Sequence, residues 1–188
     1  MPRYYEFEIS LPGIEPRIWR RLLIRTAATF ADLHKAIRDC FGWQDYHLWV
    51  FRLPTFEGRQ IAGIPEDDEF GRQAPDGRHV KVSEYFADGR VAAWCEYVYD
   101  FGDNWVHEVK LVRIVGDKTV FRRRMLDGAR ACPPEDCGGV TGYERLLRFL
   151  RTGKTGESGL TPEQLRSWLG DWTPDGFDLA AVKATFDR

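Results

Sequence analysis

The groups in this sequence best able to do chemistry gather in two short stretches. The first, YVYDFGDNWVHEVKL (residues 97–111), holds Asp100, Asp103 and His107. A carboxylate lying against an imidazole holds its tautomer and raises its pKa, as a general base or a metal-binding histidine often requires. The second, CPPEDCGG (residues 132–139), adds Glu135 and Asp136 between the thiols of Cys132 and Cys137. Two cysteines at this spacing are half of a zinc site, and the glycines would let the backbone wrap an ion. A tetrahedral site needs two more ligands, and no second cysteine pair is present. Only Cys40, Cys95 and the four histidines remain to complete it. The expectation is no cofactor, with zinc on Cys132, Cys137 and His107 as the alternative. The competing structural reading is a proline-locked loop whose acids sit near a helix N-terminus, where the helix dipole favours negative charge.

These residues meet only if the surrounding elements bring them together. If Asp103 and Asn104 supply a two-residue turn, Phe101 pairs with Val106 and Asp100 with His107. Val98, Asp100, Trp105, His107 and Val109 then share one face of a hairpin, formed by strands over residues 92–101 and 105–115. A one-residue slip in register would dissolve the Asp100–His107 pair.

Upstream, residues 4–11 alternate in polarity, with Tyr5, Phe7, Ile9 and Leu11 on one side, and residues 18–25 resume as a second strand. Thr29 opens a helix with Asp32 completing a capping box. Phe30, Leu33, His34, Ile37, Cys40 and Phe41 make its apolar stripe, and Gly42 stops it. A third strand covers 46–53. Residues 54–77, with the acidic run Glu66-Asp67-Asp68-Glu69, read as a long surface loop. A short helix over 83–87 ends at Asp88-Gly89.

Towards the C-terminus, Thr141 and Glu144 form a capping box before the stripe Tyr143, Leu146, Leu147, Leu150. A polar linker covers 151–159. Thr161-Pro162 starts another helix, and a last one runs from Phe177. The fold expected is α+β: a mixed or antiparallel sheet with a β-grasp-like hairpin–helix–strand start, a second hairpin, and a C-terminal helical segment. One domain covers 1–188, with 141–188 packed on it as a helical appendage.

The 188 residues carry 27 basic and 29 acidic side chains, a net charge of −2. That balance argues against a domain devoted to gripping phosphate backbone. Arg17, Arg20, Arg21 and Arg25, with the 122–124 arginine run and Trp19 between them, are the remaining candidates for a nucleic-acid face. His47 beside Trp49 suits a pocket but carries no motif. The chain lacks an 18-residue apolar run and a signal-peptide h-region, so reduced thiols in the cytoplasm are expected, and no membrane. No P-loop, nucleophile elbow, dinucleotide fingerprint or HExxH is present.

The strings I-W-R-R (18–21), L-H-K-A-I (33–37), F-G-W-Q-D-Y-H-L (41–48), Y-D-F-G-D-N-W-V-H-E (99–108) and C-P-P-E-D-C-G-G-V-T-G-Y-E (132–144) resemble the Ri-plasmid ORF-3-like family. Its members are also described as passenger proteins of mobile elements, with a resolvase-type label. The resemblance implies an α+β fold and no established activity. Matching residues include Asp100, Asp103, Trp105, His107, Cys132, Glu135, Asp136, Cys137 and Tyr143. Similar members often carry a further cysteine shortly before the C-P-P-E-D-C string, at the place of Met125 here, and a thioether is a poor zinc ligand. A serine recombinase needs a nucleophilic serine backed by arginines and a DNA-binding helix-turn-helix, an assembly this chain does not show.

Two functions follow. The first is a non-enzymatic binding module for a protein or nucleic-acid partner, using Trp19, Arg20, Arg21, His47, Trp49, Trp105 and Tyr143. The second is a small hydrolase or metal-dependent enzyme using Asp100, Asp103, His107, Glu135 and Asp136. The second requires His107 to share a site with the carboxylates of the 132–137 loop.

Overall fold

The computed structural model describes residues 1–55, 58–66, 73–86, 93–156 and 159–187. Part of the acidic run (67–69), the stop expected at Asp88-Gly89 and the start of the strand expected at residue 92 lie outside them.

Tyr5, Phe7 and Ile9 of strand β1 (Arg3–Ser10) point into the core, as their alternation requires. On its other face Glu6 pairs with Arg113, and Glu8 with Arg17 and Arg21. β1 forms a hairpin with β2 (Trp19–Arg25). Helix α1 (Phe30–Phe41) follows, held at its start by the reciprocal Thr29–Asp32 capping box and ended by Gly42 at φ 91°. Only a residue tolerant of left-handed backbone closes the helix in this way. Next come β3 (Trp49–Arg52), β4 (Gln60–Gly63), the short helix α2 (Val82–Tyr85), β5 (Trp94–Tyr99), β6 (Trp105–Gly116) and β7 (Arg123–Ala129).

The strands make one seven-stranded sheet in the order β4-β3-β5-β6-β1-β2-β7, and every pairing between them is antiparallel. The hairpin–helix–strand opening is present in chain order. In the sheet, however, β5 and β6 separate β3 from the β1–β2 hairpin. The apolar stripe of α1 joins Phe7, Ile9, Leu22, Tyr97, Tyr99, Trp105 and Val109 in the main core. Smaller clusters, Tyr4 with Leu23 and Phe121, and Val50 with Ala74 and Val98, lie outside it.

Three helices close the chain: α3 (Gly139–Thr152), α4 (Pro162–Leu169) and α5 (Leu179–Phe186). α4 starts where expected, with proline in its first turn, and has a Thr161–Gln164 capping box. Leu146 and Phe149 of α3 pack on Leu165 and Leu169 of α4, while Phe186 of α5 enters the main core. No helix among the described residues is long and apolar enough to cross a membrane.

Four expectations need correction. Strand β4 lies inside the stretch read as loop, because four residues at a sheet edge give too little alternation to stand out. Strand β7, which carries Arg123 and Arg124 and turns Met125 to the core, is not among the strands expected. Strand β3 begins at Trp49, leaving Tyr46 and His47 in the preceding turn. Helix α3 starts at Gly139 with Gly138 as its cap and no side-chain cap bond, so Thr141 is inside the helix. Close packing decides that start. A Cβ at Gly139 would lie 2.5 Å from the Asp103 carbonyl oxygen, and one at Gly142 would lie 1.7 Å from that of Cys137.

Candidate functional site

Three connections meet at one end of the sheet: the turn after α1 (residues 42–48), the β5–β6 turn (100–104) and the loop before α3 (130–138). Left-handed backbone at Asp45, Asp100, Asn104, Arg130 and Asp136 bends them. Asp and Asn tolerate that conformation better than most residues, which fits four of these five positions.

Hydrogen bonds stitch the connections together. Trp43 Nε1 donates to the Pro133 carbonyl at 3.1 Å, and the Gln44 amide to Glu135 Oε2 at 3.0 Å. The Tyr99 hydroxyl donates to Glu135 Oε1 at 2.6 Å, and the Tyr46 hydroxyl to Asp136 Oδ2 at 3.1 Å. The Gly138 amide donates to Asp103 Oδ2 at 3.0 Å, tying the hairpin turn to the helix start. Within that turn, Asp100 Oδ1 accepts from the amides of Gly102 and Asp103 at 2.9 and 3.2 Å. His47 Nε2 completes the cluster, 3.1 Å from Asp136 Oδ1 and 3.6 Å from Asp100 Oδ2. Partial desolvation of the hydroxyl, then the bond to Asp136 and the charge of Glu135, pushes the Tyr46 phenol up to about 12.

Asp100, Asp103, Glu135 and Asp136 are therefore neighbours, as the sequence suggested, but His107 is not one of them. The hairpin register pairs His107 with Tyr97 and Trp105 with Tyr99, and Asp100 falls in the turn. The turn spans residues 100–104 where two residues were expected, which shifts the pairing by three and puts Val98 on the opposite face. His107 is fully buried, ringed by Phe41, Trp43 and Tyr97. Its Nδ1 donates to the carbonyls of Tyr97 and Trp105, and burial lowers its pKa to about 4. It is a neutral core residue. His34 is core as well, held between Asp45 and the Tyr97 hydroxyl, and burial takes it to about 4 against the pull of Asp45.

The thiols do not converge on a metal site. Among the described residues, the donor group close enough to hold an ion is His47, Asp100 and Asp136, which includes neither Cys132, Cys137 nor His107. All four cysteines are free; burial pushes Cys40 and Cys137 up to about 12 and holds Cys132 well above its ordinary value.

Several binding candidates also face inward. Trp49, Trp105 and Tyr143 are buried in the main core. Arg20 is 2 % exposed, its guanidinium donating to the carbonyls of Trp19, Cys40, Ala129 and Arg130 between the rings of Phe41 and Phe177. With four of its five donors bonded, that arginine braces α1, β2 and the loop entered at Arg130. Trp19 stays half-buried beside Arg17, and Arg21 pairs with Glu8. Arg123 and Arg124 are taken up by Asp39 and Asp117.

Beside the stitched loops runs a groove of about 590 Å³. Its aromatic wall includes Trp43, Tyr46, Trp168, Trp172 and Phe177, and Glu135, Asp136 and Asp178 bring acidic groups to it. Tyr46 and Trp168 are exposed, and Trp172 donates from Nε1 to the Cys132 carbonyl at 2.8 Å. Sequence reasoning passed over Tyr46, Trp168 and Trp172. Large exposed aromatics were the available signal, but nothing in their spacing links helix α4 to the 42–48 turn.

The profile of the plasmid pRiA4b ORF-3-like proteins matches residues 3–181. An uncharacterised Sinorhizobium fredii protein, y4hQ, is 31% identical over 144 residues, covering 76% of this chain and 71% of that one. The crystal structure of MM3350, a protein of unknown function from Methanosarcina mazei Go1, superposes with a TM-score of 0.80 at 36% identity, covering 96% of both chains.

Proposed function

The chain belongs to the plasmid pRiA4b ORF-3-like protein family, and from that premise we propose that it is a non-enzymatic binding module for a basic, partly apolar polypeptide segment. The observation that carries this reading is the aromatic groove bordered by Glu135, Asp136 and Asp178. Aromatic rings offer large contact area at low entropic cost and attract cations over their faces. The one arginine lining the groove, Arg20, has its guanidinium spent on backbone carbonyls. Carboxylates at the rim repel phosphate, and of the arginines considered for a nucleic-acid face Arg20 is buried and Arg17, Arg21, Arg123 and Arg124 are ion-paired, which leaves Arg25 and Arg122 exposed. Both points favour a protein partner over a nucleic acid.

The test is a fluorescence titration with three probes: a synthetic peptide alternating Lys or Arg with Leu, its Glu-substituted counterpart, and a single-stranded oligonucleotide. Only the basic peptide is expected to bind with salt-sensitive affinity. Trp168→Ala, at an exposed position, and Glu135→Gln should each weaken it about tenfold, the loss of one good contact of roughly 1.4 kcal/mol. Preference for the oligonucleotide, or unchanged binding in both variants, refutes the proposal.

A further inference from the structure

His47 comes from the turn after α1, Asp100 from the β5–β6 turn and Asp136 from the loop before α3. One ligand atom from each lies within 4.8 Å of the other two. His47 Nε2 is sealed from solvent and makes no hydrogen bond, although Asp136 Oδ1 is 3.1 Å away and Asp100 Oδ2 3.6 Å away. An imidazolium held between two carboxylates closes to roughly 2.7–2.9 Å along the N–H direction. These atoms face one another without doing so.

The spacing suits a different occupant. Donors at about 2.1 Å from a shared divalent ion stand roughly 3.0 Å apart at octahedral angles and roughly 3.4 Å apart at tetrahedral ones. The outer oxygen of each carboxylate is already held. Asp100 Oδ1 accepts the Gly102 and Asp103 amides, and Asp136 Oδ2 accepts the Tyr46 hydroxyl. Such bonds orient a ligating carboxylate and leave its other oxygen free for the ion. The Asp100 side chain is 10 % exposed and that of Asp136 is 60 % exposed, so one side of the cluster is closed and the other open to water.

We propose that His47, Asp100 and Asp136 bind one divalent transition-metal ion, of the kind that accepts imidazole with carboxylate, such as zinc, cobalt or manganese. Three protein ligands leave coordination positions for water or an incoming group. The site shares Asp136 with the groove but depends on different atoms, so failure of the peptide-binding reading leaves it standing.

The experiment uses the full chain, purified without an affinity tag and dialysed against chelator, titrated with Co²⁺ by visible absorption and with Zn²⁺ against a fluorescent indicator. The expected result is one ion per chain. His47→Gln and Asp136→Asn should each lower affinity at least tenfold, with metal-free melting temperatures close to wild type. Val120→Ala, at an exposed position outside both the groove and the cluster, should bind as wild type does. Wild type, and neither ligand variant, should gain thermal stability on adding Zn²⁺. The proposal is overturned by absence of saturable binding or by equal affinity in both ligand variants. A thiolate-to-cobalt charge-transfer band also overturns it, because that would put the ion on the cysteines. Should His47→Gln unfold, the exposed Asp136→Asn decides alone.

Discussion

Burying His107 without a charge partner has a consequence that can be measured as acid sensitivity. In the unfolded chain its imidazole titrates near 6.5, and in the fold it titrates near 4, because protonation would place a charge among Phe41, Trp43 and Tyr97. The native state therefore holds its full stability above the unfolded value and loses it as pH falls from about 6.5 to about 4. At about 1.4 kcal/mol per pH unit, the full loss from this residue is about 3.5 kcal/mol. His34 titrates over the same window, burial again outweighing Asp45, so the wild type should steepen through two histidines. The carboxylates held below their usual range, Glu8 and Asp39 among them, contribute stability that is lost at lower pH still. The informative comparison is His107→Asn, whose amide can take over the Nδ1 donation without titrating. Urea unfolding at several values between pH 7 and pH 5 should show a shallower loss in the variant than in wild type, whatever its stability at neutrality. Parallel curves, or a wild type flat across that window, would refute the reasoning.

Other consequences are open to simple measurements. Arg20→Lys keeps a charge but cannot reach four carbonyls at once; urea unfolding at pH 7 should show a loss of about 3 kcal/mol, and a loss under about 1 kcal/mol would show that the network is dispensable. Gly142→Ala forces its Cβ into the Cys137 carbonyl, so α3 and the 130–138 loop must separate. A drop of at least about 2 kcal/mol is expected, with altered near-ultraviolet dichroism from the adjoining tryptophans, and an unchanged spectrum would contradict the packing. The thiols of Cys40, Cys95 and Cys132 are buried and held above their ordinary pKa values. They should resist Ellman's reagent at pH 8 until the protein unfolds, and rapid native labelling of two or more thiols would sink that expectation.

How much was legible beforehand depended on whether the signal was local. The α+β class, the β1–β2 hairpin, the α1 capping box and the proline start of α4 could be read because each depends on residues a few positions apart. The start of α3 could not, because contacts with Asp103 and Cys137 outweigh a favourable cap sequence at Thr141. Arg20 looked like a surface cation, and only the convergence of β2, β7 and the C-terminus of α1 supplies the carbonyls that let it be buried.

The two stretches with which the sequence began do meet, and four of their carboxylates do gather there. Sequence alone marked those residues, the family they belong to and the absence of any familiar catalytic motif. Tertiary structure decided which histidine faces them. A hairpin turn three residues longer than the shortest possible one put Tyr97 and Tyr99, in place of Val98 and Asp100, on the face that His107 shares with Trp105, because side chains alternate along a strand and an odd shift reverses them. The same fold left His47 outside β3, in a turn free to reach Asp100 and Asp136. No spacing in the chain encodes that meeting, since the three residues come from separate segments that only the packed sheet and helices bring together.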